Sequence, residues 1–262
     1  MRKFLRNLAT AASIALIPAA AVYAQTPSDT PRNEIELRGT ISIPSGDASF
    51  AGTTSGGTDI DFKKDFDFAN RLGFDGRYTY RTENKKHKFF VEWGTTHWSR
   101  STSLSRTIII RDQVFTANLQ THATLRLNVF RAMYSRRWGT DKFRIGPMVD
   151  MGVITTRVGL SAVTNTSSLN AENSISRFFA TIGYDLDWDP TEKVNVFSNT
   201  GAIVFQGEHF FHTDNGVRYY LTRHWGVDGG YKFERDKVHD GNGSDHITIR
   251  AHGPFFGGLY RF

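Results

Sequence analysis

Cysteine is absent from all 262 residues of this chain. An exported form would therefore have to hold its fold without disulfides. Neither a phosphate-cradling Gly-Lys loop, nor a dinucleotide fingerprint, nor a zinc-ligand spacing occurs, so no cofactor and no metal is expected. Charge of one sign is also missing. The 32 Lys+Arg face 26 Asp+Glu, without a basic stripe that could track a phosphate backbone, which argues against nucleic acid as a partner. Long apolar runs are lacking too, apart from one short stretch at the N-terminus. Linker composition appears only in the polar segment at residues 25–32, so a single domain is expected after it.

The N-terminal stretch reads as a secretory signal peptide over residues 1–24. Arg2, Lys3 and Arg6 form a basic region, and an apolar segment interrupted by Pro18 follows. Val22-Tyr23-Ala24 places small residues at −3 and −1, which predicts cleavage after Ala24. The segment is short beside the ~20 residues of a membrane-crossing helix. Position 25 is Gln, so no lipid attachment site follows the cut. Removing three basic residues of 32 leaves 29 against 26 acidic ones. Residues 25–32 are expected to be a periplasmic arm and 33–262 the folded domain.

What the rest of the chain has is alternation. Ile35, Leu37, Ile41 and Ile43 share one parity, with Glu34, Glu36, Arg38 and Thr40 on the other. Leu72, Phe74, Tyr78 and Tyr80 oppose Arg71, Asp75, Arg77 and Arg81; Phe178, Ile182, Tyr184 and Trp188 oppose Arg177, Thr181, Asp185 and Asp187. Successive strand side chains point to opposite faces, so each stretch has one apolar and one charged wall. In a soluble sandwich the apolar wall would be the core. These stretches are longer than the ~5–6 residues usual for soluble strands, and their apolar walls are rich in Tyr, Trp and Phe. Short connections such as "TENKKH", "GTDK", "DPTE" and "TRHW" alternate with longer ones at 44–68, 101–120, 162–174 and 239–246. That pattern predicts an all-β fold, a closed antiparallel transmembrane β-barrel of about ten strands, with eight or twelve as neighbouring answers.

The predicted strands are 33–43, 69–82, 87–100, 119–138, 142–158, 174–188, 193–206, 208–221, 225–238 and 246–262, with Gly207 as a hairpin tip. Two of them change parity. Leu125, Leu127 and Val129 give way to Phe130, Ala132 and Tyr134, and Ile247, Ile249 and Ala251 to Pro254, Phe256, Tyr260 and Phe262. A β-bulge in each, the second near Gly253-Pro254, would keep the apolar residues outward.

With that facing, the lumen would hold Glu36, Arg38, Asp75, Arg77, Glu92, Arg126, Arg144, Asp150, Arg177, Asp185, Arg218, Asp228 and Arg250. Glu34, Asp187, Lys232, Glu234 and His252 share the same parity. Both signs occur together, and buried charges must be paired or hydrated, so an ion-paired polar core is expected. A narrow passive pore is the functional alternative, although selective pores more often carry one sign.

Phe262, with Tyr260 and Phe256 on its face, resembles the C-terminal assembly signal of bacterial outer-membrane proteins. Residues 57–90 resemble the first loop and hairpin of small proteobacterial outer-membrane barrels, on Asp59, Asp61, Asp65, Asp67, Arg71, Asp75, Arg77, Tyr78 and His87. The resemblance implies an outer-membrane location in a Gram-negative cell. It also implies outer-membrane lipid, lipopolysaccharide, the barrel assembly machinery and periplasmic chaperones as partners. Fold does not supply function, and the expectation is a non-enzymatic, porin-like membrane protein with a structural or interaction role or a narrow passive pore; an outer-membrane enzyme with a rim active site is the alternative.

Three weaker patterns suggest chemistry. His97 and Ser99 share a strand face near a rim, as a lipid A hydrolase would need, without an identifiable third member. Asp65 and Asp67, with His212 and Asp214, are similar to the carboxylate and His–Asp pairs of omptin-like proteases, in the wrong order. Asp240, Asn242 and Ser244 alternate loosely as in a calcium loop, but the required Gly and Glu are missing. His209 and His212 would point to opposite faces of a strand.

Overall fold

Alternation becomes structure as ten long antiparallel strands that close on themselves. The computed structural model describes residues 31–163, 168–240 and 245–262; the expected signal peptide, and all but the last two residues of the arm, lie outside these. The strands are β1 (Asn33–Ser49), β2 (Arg71–Arg81), β3 (His87–Ser103), β4 (Gln120–Arg136), β5 (Phe143–Val163), β6 (Ser168–Thr191), β7 (Val194–Phe205), β8 (Glu208–Tyr220), β9 (Trp225–His239) and β10 (His246–Arg261). Each pairs with its sequence neighbour, and β10 returns to β1, with Ile35 opposite Tyr260 and Gly39 opposite Phe256. The closing ladder removes the sheet edges that hydrocarbon would penalise.

Four connections at one end are short. At the other, the β7–β8 hairpin turns on Gln206 and Gly207, at φ 49° and 82°, the two positive values that a two-residue type I′ turn requires. The remaining connections at that end differ from expectation, because several strands run on. β5 has 21 residues and β6 has 24, about twice the 9–11 that cross a bilayer. Residues 44–49, 101–103, 162–163 and 168–174 are thus strand and not loop.

The outward wall is apolar where a membrane would lie. Leu37, Phe74, Trp93, Phe130, Met151, Phe178, Ile182 and Phe256 are all exposed, and Tyr134, Trp188, Trp225, Tyr260 and Phe262 gather at the end with short turns. A soluble protein rarely presents so large a continuous apolar surface. Lipid is its solvent.

Neither expected bulge is present. The β4–β5 register runs unbroken from Thr121 opposite Ala162 to Ser135 opposite Met148. Leu125, Leu127 and Val129 simply point inward and are buried. In β10, Ile247, Ile249 and Ala251 are also inside, and no residue is inserted against β1 or β9. The parity changes because the interior changes: charged in the half nearest the short turns, apolar in the half nearest the long loops.

Candidate functional site

The loops make the apolar half. Residues after β1 fold back over the mouth, and Ile60–Asp61 pairs with Asp47–Ala48 of β1. Strands Ile108–Ile110 and Gln113–Phe115 form a small hairpin, turned by Arg111 and Asp112 at positive φ. Phe50, Ile60, Phe62 and Phe66 from the first loop and Leu104, Ile108 and Phe115 from the second are buried against Trp98, Leu125, Val158, Ile175, Phe179 and Ile247. Each large side chain so buried contributes about 1.5–3 kcal/mol. Trp98 also donates its indole N–H to the Ser42 carbonyl at 3.2 Å.

Carboxylates pin this cap. Asp112 accepts hydrogen bonds from the amides of Thr53, Thr54 and Ser55 and from their hydroxyls. The Ser55 hydroxyl and the Thr53 amide hold its carboxyl well below the usual carboxylate range. Asp65 takes Arg106 through both oxygens, at 2.9 and 2.7 Å, and the Asp61 amide at 2.8 Å. Partial burial pushes Asp65 up, but Arg106 and the Asp61 amide outweigh it and hold the group low. Asp245 ties the Ala51 amide, Arg111 and Asn173 together.

Beneath the cap lies the charged half. Arg38 reaches Glu36 at 2.9 Å, Asp214 at 2.8 Å and Asp228 at 2.5 Å. Arg77 binds Glu92 through Nε at 2.8 Å and also Asp214. Lys232 bridges Asp75 and Glu92 at 2.7 and 3.1 Å, and Arg131 meets Glu234 at 2.7 Å. Lower down, Arg218 binds Glu36 and Asn195, Arg81 binds Glu34, Lys88 binds Asp185, and Arg137 binds Asp187.

Aromatic plates support the arginines. Arg38 lies 4.6 Å from the Phe255 ring centre, Arg77 4.5 Å from Phe90, and Arg218 3.9 Å from Phe197. Gly216 and Gly230 leave room for these rings, since a Cβ at Gly216 would lie 2.8 Å from Phe197 and one at Gly230 2.7 Å from Phe255. Where the two halves meet, Asp75, Lys232, Leu127, Val129 and Ala251 help to enclose a void of about 30 Å³, room for roughly one water.

Of the residues expected in the lumen, Glu36, Arg38, Asp75, Arg77, Glu92, Arg144, Asp150, Arg177, Asp185, Arg218 and Asp228 point inward; Arg144 pairs with Asp189 and Arg177 with Glu208. Asp150 sits 3.4 Å from His212 and 4.0 Å from Arg131. Two do not belong there. Arg126 and Arg250 face outward and are exposed, because unbroken ladders leave their parity on the outer wall. His252 is likewise outward, bonded to the Tyr231 hydroxyl at 2.6 Å. Lys88, Arg131, Arg137, His212 and Asp214 were not anticipated inside. Counting strict parity along β4 from Ser135 would have found Arg131.

The patterns that hinted at catalysis are dispersed. His97 is exposed and sits opposite Arg126, a cation where a hydrolase triad would need a carboxylate. Asp65 belongs to the cap and Asp67 pairs with Arg100 on the surface, whereas His212 and Asp214 are buried in the charged half. His209 and His212 do point to opposite faces. No cluster of three His, Cys, Asp or Glu able to hold a metal occurs among the described residues; Asn242 and Ser244 lie outside them.

A lipid-facing girdle around a packed interior defines a closed barrel of the bacterial outer-membrane class. No protein-family model matches the sequence, and no curated protein does either. Among solved structures it is similar to the outer-membrane protease OmpT of Escherichia coli, with a TM-score of 0.56 at 12% identity over 92% of this chain and 99% of that one. The translocator domain of the autotransporter NalP from Neisseria meningitidis gives 0.46 at 10% identity over 99% and 98%. The Yersinia pestis attachment invasion locus protein Ail gives 0.38 at 11% over 89% and 99%. At 12% identity the likeness to OmpT is one of fold.

Proposed function

We propose that this chain is an integral protein of the Gram-negative outer membrane that serves a non-enzymatic, structural or interaction role and conducts no solute. The observation that carries this is the two-layer interior. Above the paired charges, Phe50, Phe62, Phe66, Trp98 and Phe115 are fully buried, so an ion leaving the polar half would have to enter an apolar solid. Crossing without hydration or a counter-charge is costly. The polar half is also filled: its cations are held by carboxylates from facing strands, so few are left to shepherd a moving ion. Holding the surface-facing loops in one arrangement is what such an interior does well.

Planar-bilayer recording of the refolded barrel tests this. The expected trace is flat at the voltages where open porins conduct. Steady unit steps with ordinary protein and none without it would reverse the reading in favour of a pore.

A further inference from the structure

The barrel wall is not of even height, and among the described residues one strand is unpaired along part of one edge. β6 pairs with β5 over its length, from Ser168 opposite Val163 to Trp188 opposite Phe143. Its other edge pairs with β7 only from Ile182, opposite Ala202, downward. The β7–β8 hairpin turns at Gln206-Gly207, with Phe205 opposite Glu208, and rises no further. Above Ile182 the β7-side edge of β6 carries no ladder among the described residues, and Asn170, Glu172, Ser174, Ser176, Phe178 and Ala180 are all exposed.

Two hydrogen bonds show which main-chain groups face the gap. The Ser174 amide donates to its neighbour's Asn173 Oδ1 at 2.9 Å, and the Ser176 carbonyl accepts from Arg177 Nη1 at 3.2 Å. Alternate residues of an antiparallel strand turn both groups to the same side. Asn170, Glu172, Phe178 and Ala180 therefore aim their N–H and C=O the same way. Local side-chain caps of this kind blunt an edge without filling it.

The height of this edge follows from the outward rows. Trp93, Phe130, Val153 and Phe178 lie side by side across β3–β6, and the next row up is Thr95, Asn128, Thr155 and Ser176. The row above that contains His97, Arg126 and Arg157. Apolar surface thus ends at Phe178, and the open edge stands mostly above the hydrocarbon, the one place where a membrane barrel can keep one.

We propose that Asn170–Ala180 of β6 is a docking edge for an extended segment of a partner polypeptide at the cell surface, bound by strand addition. This rests on the interaction role proposed above. Main-chain bonds supply the affinity in this mode and alternate side chains the selectivity. The incoming strand must alternate, apolar toward the buried Ala171, Ile175 and Phe179 and polar on the side of Glu172, Ser174 and Ser176. A second copy of this barrel does not fit. All copies in one membrane send β6 downward, and a two-fold axis along the normal would cross two such strands at about twice the ~35–45° strand tilt. No ladder of useful length forms at that angle.

The test uses the full barrel refolded in micelles and a fluorescein-labelled nine-residue peptide copying Thr155–Val163, the β5 segment that already pairs with the opposite edge of the same stretch. Saturable anisotropy is expected, weakened at least tenfold when the peptide's ladder-side amides are N-methylated and also by Ser174→Pro. Pro at 174 deletes only an edge-facing N–H and leaves the β5 ladder intact. Hydrogen exchange gives a readout that needs no variant: the edge-facing amides of Asn170, Glu172 and Ser176, above the apolar surface and within the span of the peptide, should exchange fast in the free barrel and slow with peptide. Absence of binding, binding indifferent to N-methylation, or prior protection of those amides would overturn the docking edge. A conducting barrel would instead overturn the occluded-barrel reading and leave the peptide result to stand on its own.

Discussion

Removing Arg131 probes the charged half at a carboxylate with a single cation in contact. Glu234 has one ion-pair partner among the described residues, Arg131 at 2.7 Å, and both side chains are less than a tenth exposed. Arg131 also lies 3.8 Å from Glu92 and 4.0 Å from Asp150. Arg131→Met keeps most of the volume and deletes the charge, leaving Glu234 buried beside Asp236 with no cation in contact. Stranding one member of a buried pair costs about 3–5 kcal/mol. Glu234→Gln added to Arg131→Met removes the stranded charge, so the double variant should recover at least ~1 kcal/mol relative to Arg131→Met alone, a coupling typical of residues in direct contact. Urea unfolding of the refolded barrel in micelles, followed by tryptophan emission and by heat-modifiable gel mobility, measures both. If Arg131→Met costs less than ~1 kcal/mol, the pair is hydrated and the packed-lumen account fails. If the double variant is no better than the single, the cost is lost packing and not a stranded charge.

Two further predictions concern the cap. Trp98→Ala removes a fully buried indole and its bond to Ser42, so about 3–5 kcal/mol should be lost in the same unfolding assay; a loss below ~1 kcal/mol would mean that the loops do not pack on it. Asp65 and Asp112 have carboxyls held below their ordinary value. A group whose folded value is depressed stabilises fully above its unfolded value, near 4, and loses that contribution as the pH falls through the folded one. The cap should hold from neutral pH to about 4 and loosen only in stronger acid. In a variant keeping Trp98 as its only tryptophan, emission should shift red reversibly below that point, and Asp112→Asn should shift it already at neutral pH. An emission maximum constant down to pH 2 in both proteins would remove these carboxylates from any role in closing the mouth.

How far the sequence could be read depended on whether one solvent faced each wall. On β1, β2 and β6 the lipid side is apolar and the lumen side charged, so period two alone located the strands, and the closure of Ile35 against Tyr260 agrees with the expected pairing of first and last strand. The ten strands and the turn at Gly207 follow from that signal and from the punctuation of the short turns. It fails where both walls are apolar. Leu125 and Phe130 are equally hydrophobic, yet Leu125 is buried in the cluster that the loop residues form and Phe130 faces lipid. Alternation cannot distinguish a membrane from a loop plug, because it reports contrast between faces and not what covers them. An inserted residue was then the cheapest local way to restore contrast, and it misplaced Arg126 and Arg250. The sequence did hold a clue: Phe50, Phe62, Phe66, Ile108 and Phe115 are too apolar for loops left in water. Asking what those side chains bury would have pointed to an apolar ring inside the mouth. Such a ring leaves no continuous polar path, and so the same residues that defeat the parity count are the ones that argue against a pore.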